Sequence, residues 1–153
     1  MFDPVHLETA PPFYAPPETS LPQLNTLTSL NPLRGHVSAI HASSFFHLFD
    51  EVKQLQLAQA LAGLLSPEPG SMLLGSHGGR PEKGYRVEAH RNSQGSHMFC
   101  HCPESWIELW DGQVFEKGTV KVDAILREVK RTDLLGSLPK AKFYLLVWSV
   151  TRL

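Results

Sequence analysis

Residues 37–76 read VSAIHASSFFHLFDEVKQLQLAQALAGLLSPEPGSMLLGS, and three patterns succeed one another along them. Val37-Ser-Ala-Ile-His-Ala is short, β-compatible and bounded by Gly35 and by Ser43-Ser44, the pattern of a buried strand. Asp50 then stands where a helix N-cap belongs. Val52, Leu55, Leu57, Ala58, Leu61, Leu64 and Leu65 follow at spacings of three and four, and Ser66-Pro67 stops the helix. After the Pro69-Gly70 turn, Ser71-Met-Leu-Leu-Gly-Ser reads as a second short strand. Strand, helix and strand fill about the length that a parallel crossover requires, so the expected class is α/β.

Working outward, residues 75–104 are rich in Gly, His, Ser and Arg without a sustained period, and read as a long loop where α/β proteins place ligand-facing segments. Pro103-Glu-Ser-Trp-Ile-Glu-Leu-Trp has proline at the first helical position, an acid in the first turn, and Trp106, Leu109 and Trp110 on one face. It predicts a short amphipathic helix ending at Gly112. Residues 119–129 and 143–150 are both strand-like, with about 13 residues between them and no helical period there. An antiparallel pair is expected to close the fold.

Before residue 36 the chain has another character: seven of its 12 prolines lie within residues 1–32, whereas all 11 glycines follow residue 34. The proline pairs at 11–12 and 16–17 hold the backbone extended and remove ladder donors, so residues 1–35 read as a Pro-rich connecting segment, with one short turn around Leu24, Leu27 and Leu30. Residues 36–153 form the folded part.

The 153 residues allow one domain of ordinary size. With 14 Lys and Arg against 15 Asp and Glu, the net charge of -1 lacks the basic footprint of general nucleic-acid binders. No apolar run reaches the roughly 18 residues of a membrane span, and Met1-Phe-Asp-Pro lacks the basic, then apolar, order of a signal peptide. A soluble, cytoplasmic protein with a small-molecule partner, no nucleic acid and no membrane is the expectation. Cys100 and Cys102 are too close for a good disulfide, which favours a reducing compartment. With His97 and His101 they offer soft metal ligands, but a single C-x-C lacks the second pair of a structural zinc site, so no metal is expected. Gly75-Ser-His-Gly-Gly-Arg meets neither phosphate-loop spacing. Arg80, Arg86 and Arg91 are either solvated loop charges or contacts for an acidic substrate.

The words of the sequence add a resemblance. Residues 37–50 followed by Gln54 resemble the "DIIHASSFFHLFDWxxQ" block of fungal secondary-metabolite class I S-adenosylmethionine methyltransferases. Residues 64–79 resemble the same group's "LLxPxPGSxxxGxxxG" segment, Pro103–Trp110 its "PESWxxLW" helix, and Trp148-Ser-Val with Arg152 its "WSVxR" close. Phe2-Asp3-Pro4 is similar to the end of the group's third strand.

This resemblance implies a partial Rossmann-like sheet: the last four strands, a parallel pair plus an antiparallel terminal pair, without the first three strands and the glycine-rich cofactor loop. It implies S-adenosylmethionine as cofactor and O-methylation of a polyketide-derived or meroterpenoid intermediate. Phe2, Asp3, His41, Ala42 and Ser43 are then expected along the cofactor, and His47 as the catalytic residue, a base toward a hydroxyl acceptor. The alternative to touching substrate is that His47 packs with Phe45, Phe46 and Phe49. Without a neighbour on one side, the 37–42 strand would present an open edge, so a homo-oligomer through that edge, and an aggregation-prone or partly molten isolated chain, are expected. The rival function is a non-catalytic remnant acting as an interaction module.

Overall fold

In a computed structural model, residues 10–86, 98–130 and 142–153 are described. Strand β1 (Ala39–His41) leads through a 3₁₀ turn at Phe46–Leu48 into helix α1 (Glu51–Leu64) and strand β2 (Met72–Gly79). The two-residue strands β3 (Gly84–Tyr85) and β4 (Phe99–Cys100) form a small ribbon, followed by α2 (Pro103–Trp110), β5 (Val120–Val129) and β6 (Phe143–Arg152). The main sheet has the order β1-β2-β6-β5. β1 and β2 are parallel, while β6 is antiparallel to both β2 and β5. The mixed α/β class, the parallel pair and the antiparallel closing pair are as the sequence predicts.

The helix boundaries have local causes. Asp50 caps α1 by accepting the Lys53 amide N–H at 2.9 Å, and Leu65 leaves the helix to bridge Val37. At the start of α2, the Cys102 amide donates to Ser105 Oγ at 3.1 Å, while Pro103 occupies a position where its missing N–H costs nothing. Val52, counted with the apolar face from its spacing, is 67% exposed. The inward face instead centres on Gln54, Leu57, Ala58 and Ala62, which are buried.

Two expectations change. β2 runs to Gly79 instead of ending at Ser76, pairing Gly78 and Gly79 with Leu145 and Tyr144 of β6. The residues taken as loop are glycines for a packing reason: a Cβ on Gly79 would stand 2.8 Å from both Leu126 Cδ1 and Leu146 Cβ. β1, expected to be buried, has Ala39 and His41 exposed and only Ile40 half-buried toward the helices. Its ladder covers three residues, with Val37 contributing an isolated bridge.

The covered face of the sheet carries Leu73 and His77 from β2, Leu146, Trp148 and Val150 from β6, and Val120 from β5, all packed under the helices. At its centre Phe46 is fully buried, with ring centroids 4.9 Å from Trp106, 5.6 Å from His77 and 5.8 Å from Trp148. Trp106 and Trp110 are both buried in this cluster, the packing role expected of them.

The proline-rich segment is docked from residue 10 onward. Phe13 and Pro17 fill the space over Gly35 (φ +72°), and Tyr14 Oη accepts the Glu116 amide at 2.7 Å. Arg152 is buried between the rings of Tyr14 and Phe115, each 4.9 Å from its guanidinium carbon, and donates to the Phe13 carbonyl at 2.9 Å. Aromatic faces thus replace a carboxylate as its surroundings. Two 3₁₀ turns, Leu24–Thr26 and Asn31–Leu33, interrupt the extended path, and Leu24 and Leu30 stay exposed.

Candidate functional site

The parallel pair ends in a tightly held loop. Beyond β1 the chain stays alongside β2: the Ala42 amide donates to the Leu74 carbonyl at 2.9 Å and the Ser44 amide to the Ser76 carbonyl at 2.7 Å. Ser43 Oγ accepts the Ser76 amide at 3.2 Å and lies 2.8 Å from His41 Nε2. Gly75 makes this closeness possible. A Cβ there would collide with the Ala42 carbonyl oxygen and stand 2.8 Å from its carbonyl carbon. Ser44 reverses the direction with φ +53°, a left-handed value uncommon outside glycine.

After that reversal the Ser-Ser-Phe-Phe-His-Leu-Phe run alternates anchor and presented side chain. Phe46 enters the core, Phe45 and Phe49 meet edge to face at 5.3 Å, and His47 is left at the rim. Of the two roles weighed for His47, its ring partner is an imidazole: it stacks on His77 with centroids 6.2 Å apart and planes 12° apart. Its Nδ1 is buried without a hydrogen-bond partner among the described residues. Burial first, and the nearby Arg86 charge second, hold its pKa below 6.5, so the imidazole is neutral near pH 7.

Beneath it lie two more histidines: His77, which spacing did not single out, and His101, which was weighed only as a metal ligand. His77 Nδ1 accepts the Trp148 indole N–H at 3.0 Å, which puts the His77 proton on Nε2, where no acceptor lies among the described residues. Burial, then the charges of His47 and His101, push its pKa down to about 3. His101 Nδ1 lies 2.9 Å from Ser105 Oγ, and burial brings its pKa down to about 4. The alternation of β2 places His77 on the covered face, but its neighbours are glycines, so no hydrophobic pattern announces it.

Gln54 ties the rim together. Fully buried, its side-chain amide donates to the carbonyls of Phe49 at 2.9 Å and Phe99 at 2.7 Å, joining the turn that carries His47 to β4. β4 holds β3, and the Arg86 amide donates to the Met98 carbonyl at 2.9 Å. The structure therefore gathers His41, Ala42, Ser43 and His47 at the C-terminal ends of the parallel strands, with Arg86 beside His47. Open α/β sheets bind ligands at that end. Phe2, Asp3, Arg91 and His97 lie outside the described residues. Cys100 is buried, Cys102 half-buried at the α2 cap, and both thiols are free. Among the described residues no helix is long and apolar enough to cross a membrane.

The residues fit one side of a nucleoside cofactor such as S-adenosylmethionine. His41 and Ser43 are exposed polar side chains on a fixed backbone, past the strand edge where a ligand has access. Around the rim, the two buried histidines are neutral, whereas His41 is exposed and His47 half-buried.

No protein-family model matches the chain. Individual proteins do. O-methyltransferase phiE from Fungal sp. is 37% identical over 90 residues, covering 59% of this chain and 29% of that protein. Methyltransferase ausD from Penicillium brasilianum is 30% identical over 128 residues, 79% of this chain and 42% of its own length. Asnovolin E/Chermesin D methyltransferase nvfJ from Aspergillus novofumigatus is 34% identical over 82 residues, 53% of this chain and 28% of its own length. The chain thus spans less than half the length of these curated relatives. It is a homologue of part of the methyltransferases of fungal secondary metabolism.

Proposed function

We propose that the chain forms the acceptor side of an S-adenosylmethionine-dependent O-methyltransferase, corresponding to the later strands of a Rossmann-like methyltransferase sheet. The acceptor is a carboxyl or hydroxyl oxygen of a polyketide-derived or meroterpenoid intermediate. One observation supports the reading above others: residues 37–50, which carry the block resemblance to the fungal enzymes, include the loop that runs past the C-terminal end of β1 and is hydrogen-bonded there to β2.

S-adenosylmethionine supplies a methyl group on a sulfonium, which an oxygen nucleophile attacks in line as the carbon–sulfur electron pair leaves with sulfur. His41, Ala42 and Ser43 would line the cofactor's edge when it is bound, and Phe2 and Asp3 would belong to the same cofactor side by resemblance. The loop's backbone bonds hold these residues in place against β2 and would help to align the two reactants, and alignment of that kind is the larger part of such catalysis. His47 acts only for a hydroxyl acceptor: neutral near pH 7, it takes the hydroxyl proton as the bond to carbon forms. A carboxylate acceptor carries no proton and needs no base. Phe46, Trp106 and Trp148 beneath the rim keep water from reaching it through the core.

Calorimetric titration with S-adenosylmethionine tests the reading. Saturable heat supports it, and no heat up to about millimolar ligand argues against methyl transfer by this chain alone. The second reading, an interaction module, is favoured by one feature: among the described residues no strand pairs with the outer edge of β1. Strand addition to that edge by a second copy predicts a dimer in sedimentation velocity, and a strict monomer removes it.

A further inference from the structure

Gly78 marks a gap on the rim. Two side chains lie over the point where its Cβ would stand: His47 Cγ and Cδ2 at 3.5 Å, and Arg86 Nη1 at 3.8 Å. The Arg86 guanidinium is seated on the Phe143 ring, 4.6 Å from its centroid, and its own backbone is pinned to Met98, so the charge is held in place. Among the described residues no carboxylate pairs with Arg86. A small cavity of about 40 Å³ opens beside it, walled by Gly79, Arg80, Pro81, Arg86, Phe143 and Tyr144, with no acidic side chain in that wall. The cavity is large enough for a carboxylate group and too small for a ring. Lys142, also at its margin, is already matched by Glu128 at 3.3 Å.

We propose that Arg86 is a specificity-determining residue that, with the His47 ring beside it over Gly78, holds a carboxylate group of the substrate. A guanidinium seated on an aromatic face is suited to this, because its planar fork meets a carboxylate with two parallel donors and it is weakly hydrated. His47 Nδ1 is otherwise buried without a partner, and a carboxylate oxygen supplies one when that nitrogen carries the proton. The absence of a side chain at Gly78 leaves room for the group between the two. Placing this carboxylate within a methyl-transfer site rests on the methyltransferase reading; its recognition by Arg86 does not.

The test uses the chain itself, with benzoate as the probe and methyl benzoate as its uncharged counterpart. Binding is followed by calorimetry and by the His47 ring protons in NMR, assigned with a His47→Gln variant. Benzoate is expected to bind and to shift the His47 signals, and methyl benzoate to bind at least tenfold more weakly. Arg86→Gln is expected to weaken benzoate at least tenfold and to raise the apparent pKa of His47 in the free protein, while Arg86→Lys, which keeps the charge on Phe143, restores part of both. No benzoate binding, equal binding of acid and ester, or affinity indifferent to Arg86→Gln overturns the proposal. Silence toward S-adenosylmethionine alongside charge-dependent benzoate binding would argue against methyl transfer by this chain alone and leave this proposal standing.

Discussion

Gly75→Ala tests whether the loop after β1 is held where the candidate site needs it. The added methyl group would collide with the Ala42 carbonyl oxygen, with Trp148 Cζ2 only 3.0 Å away behind it, so neither side can retreat freely. Separating the loop from β2 strains or breaks the bonds from Ala42 to Leu74, Ser44 to Ser76 and Ser76 to Ser43. Two or three such bonds at about 1 kcal/mol each, plus about 1–3 kcal/mol of overpacking, give a loss of about 3–6 kcal/mol. A domain of ordinary stability, about 5–15 kcal/mol, barely survives that. Gly70→Ala is the matched comparison: its φ of +88° disfavours a side chain, but nothing lies within 4 Å. It should cost only about 1–2 kcal/mol. Urea unfolding at sub-micromolar protein can be followed by fluorescence of the buried Trp106, Trp110 and Trp148. With a slope of about 2 kcal/mol per molar, Gly75→Ala should lower the midpoint by about 2 M. A midpoint within about 0.5 M of that of Gly70→Ala would refute the close approach of loop and strand.

Phe46→Ala removes the ring around which Trp106, Trp148 and His77 are arranged, and should cost about 3–5 kcal/mol by the same unfolding measurement. Gln54→Leu keeps the volume but removes the side-chain amide that donates to both the Phe49 and the Phe99 carbonyls; a loss of about 2–4 kcal/mol is expected in the same unfolding measurement. Acid should destabilise the fold through the histidines. His77 and His101 are neutral when folded, with pKa values of about 3 and about 4 against an ordinary 6.5, so stability is full above about pH 6.5 and is lost as the pH falls toward those values. Each contributes a slope of up to about 1.4 kcal/mol per pH unit, and His77→Phe should remove one histidine's share from a plot of unfolding free energy against pH.

How much of this was legible in the sequence varies with the kind of signal. α1 announced itself through Asp50 and the apolar spacing, and α2 through Pro103 and its tryptophans, because capping and helical period are local. The last two strands were legible from apolar content alone. The end of β2 was not: Gly75, Gly78 and Gly79 have no side chains to show a two-residue alternation, and their shape is dictated by Ala42, Leu126 and Leu146 from elsewhere in the chain. His47 was singled out by its place after the first strand and is found at the rim. His77 was hidden because a buried histidine in a glycine-rich strand looks like loop composition. Gln54 was noted only as a word of the resemblance, and its work is visible only when Phe99, 45 residues away, is brought against it.

The position of β6 has a consequence for how the protein comes into being. The last strand in the chain order lies between β2 and β5, so it supplies hydrogen bonds to both neighbours. During synthesis, β1, α1 and β2 can come together early, but β2 then waits with its other side bare until residues 143–152 have left the ribosome. At about 5–20 residues per second, the roughly 70 residues after β2 leave that side bare for several seconds. The nascent chain is thus most vulnerable to mispairing just before β6 emerges, and a factor that shields exposed strands on the ribosome should raise the yield of native protein.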